Sequence, residues 1–198
     1  MGKRWSGRLA DRFGTRGPLI VGPAIAGLGF GLLGLVAGAA DYWIFMLPVI
    51  VLGLGMAITV APLTTAVVNA VAERQIGVAS GINNAVASVA SLLFIAVLGS
   101  IALGAFSHSL DRHLAAVNPS AEVRTVVDST RQAFAPPSMP PAISQQDRQT
   151  AQVVIAESYV ETIRVVMFIA AAASFASALT AALTIGSLKE ERMVARRT

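Results

Sequence analysis

Four long stretches of this chain contain no aspartate, glutamate, lysine or arginine: Gly17–Ala40, Tyr42–Ala72, Gln75–Ser107 and Val165–Leu188. No other feature limits the fold so strongly. A helix needs roughly 20 apolar residues to cross about 30 Å of hydrocarbon, and each stretch exceeds that. Buried helices of large soluble proteins are sometimes apolar all round, but rarely at this length and rarely four times in one chain. Charged residues make up 13% of the sequence, against roughly 25% in a soluble domain. Lipid offers the backbone no hydrogen-bond partners, so a spanning segment must satisfy its own peptide groups as a helix. The fold class is therefore all-α and integral to a membrane, with four transmembrane helices.

The charges that remain are grouped between the apolar stretches. They divide the chain into residues 1–17, spans at 18–40, 42–72, 75–107 and 161–188, an outer segment with short helices at 108–160, and a tail at 189–198. Lys3, Arg4, Arg8, Arg12 and Arg16 precede the first span, against Asp11 alone. Lys189, Arg192, Arg196 and Arg197 follow the last span, against Glu190 and Glu191. The short link between the second and third spans carries Glu73 and Arg74. On the other side lie Asp41 and the segment from His108 to Arg164, where six acids face Arg112, Arg124, Arg131, Arg148 and Arg164. The positive-inside rule then puts both termini in the cytoplasm, and Tyr42, Trp43 and Phe45 fit an aromatic belt at the outer interface.

This distribution also removes other classes. A net charge of +4 and a pI near 10.3 are common in nucleic-acid binders. Here, however, the basic residues flank apolar runs instead of lining one face, so no nucleic-acid partner is expected. The absence of cysteine excludes disulfides, thiolate metal sites and cysteine nucleophiles. The charged N-terminal stretch runs to Arg16 with no short apolar core and cleavage site after it, unlike a cleavable signal peptide. No Ser/His/Asp set, metal-ligand spacing or phosphate loop is present. His108 and His113, five apart and on different helix faces, read as solvated residues.

Within the spans, small and polar residues mark candidate contact faces. Pro18 enters the first span, where a missing N–H costs nothing. Gly27 and Gly31 form a GxxxG pair with Gly22, Gly29 and Gly34 nearby, which predicts close approach of another helix. Pro48 and Pro62 should bend the second span. Its inner half carries Thr59, Thr64, Thr65 and Asn69, either bonded to their own helix backbone or lining a cavity. In the third span, at about 100° per residue, Gly77, Gly81, Asn84, Ser88, Ser91 and Gly99 fall within an arc of roughly 80°. Bulky Ile95 interrupts this seam, which otherwise suits close helix packing or the border of a polar cavity. Asn84 lies on the seam, open to an interhelical hydrogen bond or a substrate contact, and Asn83 lies roughly 100° away. The fourth span is rich in alanine and serine and offers little chemistry. In the outer segment, residues 118–134 read as a short helix with Val123, Val126 and Val127 on one side. A proline-rich break follows. Ser144 with Asp147 then forms a capping box, opening a helix that should run without interruption into the fourth span.

The N-terminal charge cluster carries a more specific pattern. Gly7, Leu9, Asp11, Arg12, Gly14 and Arg16 match, position for position, the G-x-L-x-D-R-x-G-x-R/K signature of the major facilitator superfamily, which the chain resembles. In that family the signature forms a cytoplasmic loop joining two transmembrane helices. Here Gly7 and Gly14 permit a tight turn, Asp11 can face the positive N-terminal end of the next helix, and Arg12 and Arg16 stay in the cytoplasm. Residues 61–101 further resemble the late helices of the EmrB/QacA type, drug:proton antiporters of fourteen membrane helices with a long outer loop before the last.

The resemblance implies that the four spans are helices eleven to fourteen, part of the C-terminal half of a major facilitator fold, and that ten preceding helices are their partner. It implies the C-terminal portion of a proton-coupled multidrug efflux antiporter in the plasma (inner) membrane, working by alternating access on a hydrophobic small molecule. It implies no enzyme activity and no cofactor beyond a proton gradient. Proton coupling needs an ionisable group within the membrane. Glu161 and Arg164 lie only at the outer boundary, so the coupling acid is expected outside this chain. The alternatives are an exporter of lipid or peptide, a self-sufficient four-helix exporter, and a non-transporting membrane scaffold or regulator surrounded by lipid.

Overall fold

The computed structural model describes residues 16–69, 73–133, 139–140 and 143–195, and their side chains except at 16, 61–69, 73, 133 and 185–195. The regular structure among them is helical: α1 (Arg16–Val36), α2 (Tyr42–Asn69), a 3-10 turn (Glu73–Gln75), α3 (Ile76–Val117), α4 (Ala121–Ala133) and α5 (Gln145–Ala195). Four of these helices are long and apolar enough to cross a membrane, through Gly17–Val36, Tyr42–Val60, Ile76–Val117 and Gln145–Thr184. α2 continues as helix past Pro48 and Pro62 to Asn69.

α1 packs between α2 and α5, and its glycines divide the work. A Cβ placed on Gly29 would lie 2.7 Å from the Leu52 backbone, and one on Gly22 would meet Thr59 and the Gly55 carbonyl. From the other side, a Cβ on Gly55 would run into the backbone of Ala26. Gly22, Ala26 and Gly29 share one face at helical spacing, so α1 and α2 cross with backbone nearly against backbone. Gly27 and Gly34, seven apart, face α5 instead, against the Phe175 ring and against Met167 and Phe168. A Cβ on Gly31 would meet nothing within 4 Å among the described residues. The close approach expected from Gly27 and Gly31 therefore exists, but a different set of small residues makes it. A GxxxG spacing permits a close crossing without saying which of several overlapping glycine sets is used.

The other two long helices outrun a bilayer. α3 has 42 residues and α5 has 51, or about 63 and 77 Å at roughly 1.5 Å per residue. Their excess length forms a cap together with α4. Residues 108–117, expected in the outer segment, continue α3. Asn118 then adopts a left-handed conformation, φ 43°, which asparagine tolerates, and Pro119 cannot resume the helix. Ser120 accepts a hydrogen bond from the Val123 amide at 3.2 Å and so opens α4. The Ser144 hydroxyl donates to Asp147 Oδ2 at 2.8 Å and accepts from the Asp147 amide at 3.1 Å, opening α5.

The cap has its own apolar core. Phe106, Leu110 and Leu114 of α3, Val123, Val126 and Val127 of α4, and Ile143, Ala151, Val154 and Ile155 at α5 are buried together. Phe106 and Tyr159 stack with ring centroids 4.6 Å apart, and burial pushes the Tyr159 phenol above its ordinary range. The three α4 valines are the stripe expected from their spacing. Between the cap and the opposite end, α3 is exposed along most of its length.

Candidate functional site

The sequence-predicted residues fall into three groups. Gly7, Leu9, Asp11, Arg12 and Gly14 lie outside the described residues, and Arg16 is the first residue of α1. On α2, the Thr59 hydroxyl donates to the Gly55 carbonyl at 2.8 Å, so it satisfies itself on its own helix while covering Gly22. Thr64 and Asn69 belong to α2, but their side chains lie outside the described set. On α3, Gly77, Gly81, Asn83, Asn84, Ser88 and Ser91 are all exposed. A Cβ on Gly77 or Gly81 would find nothing within 4 Å. The seam therefore meets no other described part of this chain.

A polar cluster that sequence reasoning missed sits where the cap joins the spans. Ser109, one turn before His113 on α3, donates its hydroxyl to Glu161 Oε2 of α5 at 2.5 Å. Arg112 pairs with the same carboxylate at 3.3 Å. His113 Nε2 lies 3.3 Å from Glu157 Oε2, and its Nδ1 is 3.3 Å from Ser158 Oγ. Ser109, Ser158 and Thr162 are buried, and their hydroxyls are all hydrogen-bonded. A cavity of about 440 Å³ adjoins the cluster, lined by Gly38, His113, Ala156, Glu157, Val160 and Glu161. The expectation that both histidines are solvated is thus corrected for His113, whose side chain is 22% exposed. The signal was available in part: Ser109/His113 and Glu157/Glu161 are each i,i+4 pairs, but nothing local says that the two pairs meet.

Arg164 ties the cluster's end of α5 to α1. Gly38, at φ +92°, turns the chain out of α1, and its missing Cβ leaves room for Val160 of α5. The Arg164 guanidinium donates to the carbonyls of Gly34 at 3.3 Å and Ala37 at 3.1 Å. A cation at the carbonyl end of a helix is favourable. Arg164→Met should lower stability by roughly 1 kcal/mol, read as a lower melting temperature of the detergent-solubilised protein. An unchanged melting temperature would mean that the contact contributes nothing.

The cluster has the chemistry of a structural junction, built from hydrogen bonds and ion pairs. It lacks an activated nucleophile, and no group of three or more metal-ligating His, Cys, Asp or Glu side chains occurs among the described residues. Four membrane-length helices, glycine-mediated helix crossings and a small cap define a polytopic membrane protein. Residues 1–118 match the Major Facilitator Superfamily, and the chain belongs to that family, which comprises transporters rather than enzymes. Two similar proteins, each named Multidrug resistance protein Stp, come from Mycobacterium tuberculosis strains CDC 1551 / Oshkosh and ATCC 25618 / H37Rv. Both are 30% identical over 174 residues, which cover 84% of this chain and 32% of each relative. The chain thus spans about a third of the length of the curated relatives it matches. No solved structure matches it.

Proposed function

We propose that this chain supplies the last four membrane helices, eleven to fourteen, of an EmrB/QacA-type proton-coupled multidrug efflux antiporter. The observation that carries this reading is the 30% identity, over 84% of the chain, to proteins named for multidrug resistance. The signature residues Gly7, Leu9, Asp11, Arg12, Gly14 and Arg16 support it, as a cytoplasmic loop that helps to hold one conformation. The coupling acid lies in helices outside this chain, because the four apolar stretches contain no ionisable residue at depth. The rest of the transporter covers the exposed seam of α3, where an asparagine facing lipid would lack partners. Both termini are cytoplasmic in the plasma membrane, and the cap lies outside.

Two measurements test this reading. Cells producing the complete protein should expel a hydrophobic dye, and a protonophore should stop the export; a protein present in the membrane without such export would refute the function. Asp11→Asn should reduce that export at unchanged protein level, because it removes a charge placed to meet a helix N-terminus. Orientation is tested separately, since the chain has no cysteine. A cysteine at exposed Ser129 should react with an impermeant maleimide in intact cells, and one at Ser6 should not. The opposite pattern would invert the topology.

A further inference from the structure

His113 has acceptors on both of its ring nitrogens. Nδ1 lies 2.9 Å from the Ser109 carbonyl, 3.2 Å from Ser109 Oγ and 3.3 Å from Ser158 Oγ. A carbonyl only accepts. The Ser109 hydroxyl hydrogen is committed to Glu161 at 2.5 Å, and that of Ser158 to the Val154 carbonyl at 2.8 Å. The carbonyl contact therefore sets the ring's state, since Nδ1 must carry a hydrogen toward it. A neutral imidazole has only one N–H, so its Nε2 would present a lone pair to Glu157 Oε2, 3.3 Å away. Moving the hydrogen to Nε2 would instead leave Nδ1 bare against the Ser109 carbonyl. Only the doubly protonated ring satisfies both sides.

We propose that His113 is a proton-operated latch between α3 and α5: proton uptake at Nε2 closes its link to Glu157, and proton loss opens it. The sign follows from the geometry: the link is present while Nε2 carries its proton and is lost when that proton leaves. Of the neighbouring charges, Glu161 also feels the His113 ring, and each of the others is engaged elsewhere. On α3, Arg112 is turned to Glu161, and Asp111, about 200° around the helix, is held by Arg131 of α4. On α5, Glu161 has Ser109 and Arg112 as partners, and Arg164 is bonded to α1. In the α1–α2 link, Gly38 lines the adjoining cavity, and Asp41 accepts from the Trp43 amide at 3.1 Å.

Opening the latch has a structural consequence. His113 and Glu157 both line the 440 Å³ cavity beside Gly38, and both line a second cleft of about 340 Å³ beside Val117 and Gln149. The pair therefore belongs to the lining of both, and its separation changes the shape of both.

Hydrogen–deuterium exchange on the complete protein tests the latch by comparing variants at equal pH, which cancels the intrinsic pH dependence of exchange. At about pH 5.5, Glu157→Gln should speed amide exchange over residues 110–117 and 150–158 about two- to five-fold, the range for a partly exposed ion pair. At about pH 8 it should change nothing. In a His113→Gln background, Glu157→Gln should have no effect at either pH; if that background fails to fold, the two-pH comparison in the native background still decides. Glu161→Gln should leave the pH dependence in place. An equal effect of Glu157→Gln at both pH values, no effect at either, or a pH dependence abolished by Glu161→Gln would each overturn the latch.

Discussion

Phe106→Ala should destabilise the cap by about 3–5 kcal/mol, the usual cost of removing a fully buried phenylalanine. Phe106 is 0% exposed and stacks on Tyr159 at the point where α3 passes from span to cap. The cap core draws on three helices, and none of them buries these residues without the other two. Water surrounds the cap in the proposed topology, so hydrophobic burial drives its folding in the ordinary way, unlike contacts within the bilayer. The expected result is rapid trypsin cleavage at Arg124 or Arg131 in a protein whose spans remain inserted. Val117→Ala, at a residue 43% exposed on the same helix, should be cleaved at the native rate. Equal cleavage rates for the two variants would show that the cap is not held by this core.

Gly29→Leu should be strongly damaging within the spans, costing about 3 kcal/mol, at the upper end for overpacking. A Cβ at Gly29 would come within 2.7 Å of the Leu52 Cα, so the obstacle is backbone and no rotamer change removes it. Moving α2 away would also part Gly22 from Thr59 and Gly55 from Ala26, because one rigid crossing holds all three contacts. Gly31→Leu is the control. It adds the same bulk to the same helix, about 180° from Gly22, where nothing lies within 4 Å. In the complete protein the first variant should yield much less monodisperse material in detergent than the second. If Gly29→Leu and Gly31→Leu melt at the same temperature, the crossing is wrong.

What the sequence determined by itself was whatever depends on local chemistry. Uncharged runs longer than a bilayer is thick give four membrane helices, because lipid leaves the backbone no alternative. Ser144 and Asp147 announce the start of α5, since a capping box satisfies amides within one turn, and the valine spacing of α4 marks its buried side. The ordered glycines and charges from Gly7 to Arg16 are legible as a family signature because their order is itself the information. Tertiary structure decided everything that depends on which surfaces meet. A glycine's small size permits close approach without naming the partner, so only packing assigned Gly22 and Gly29 to α2, Gly27 and Gly34 to α5, and left Gly31 without a contact. The polar junction was hidden for the same reason. His113 lies 45 residues from Ser158, and Ser109 lies 52 from Glu161. A histidine acquires a use only when folding sets acceptors against both faces of its ring.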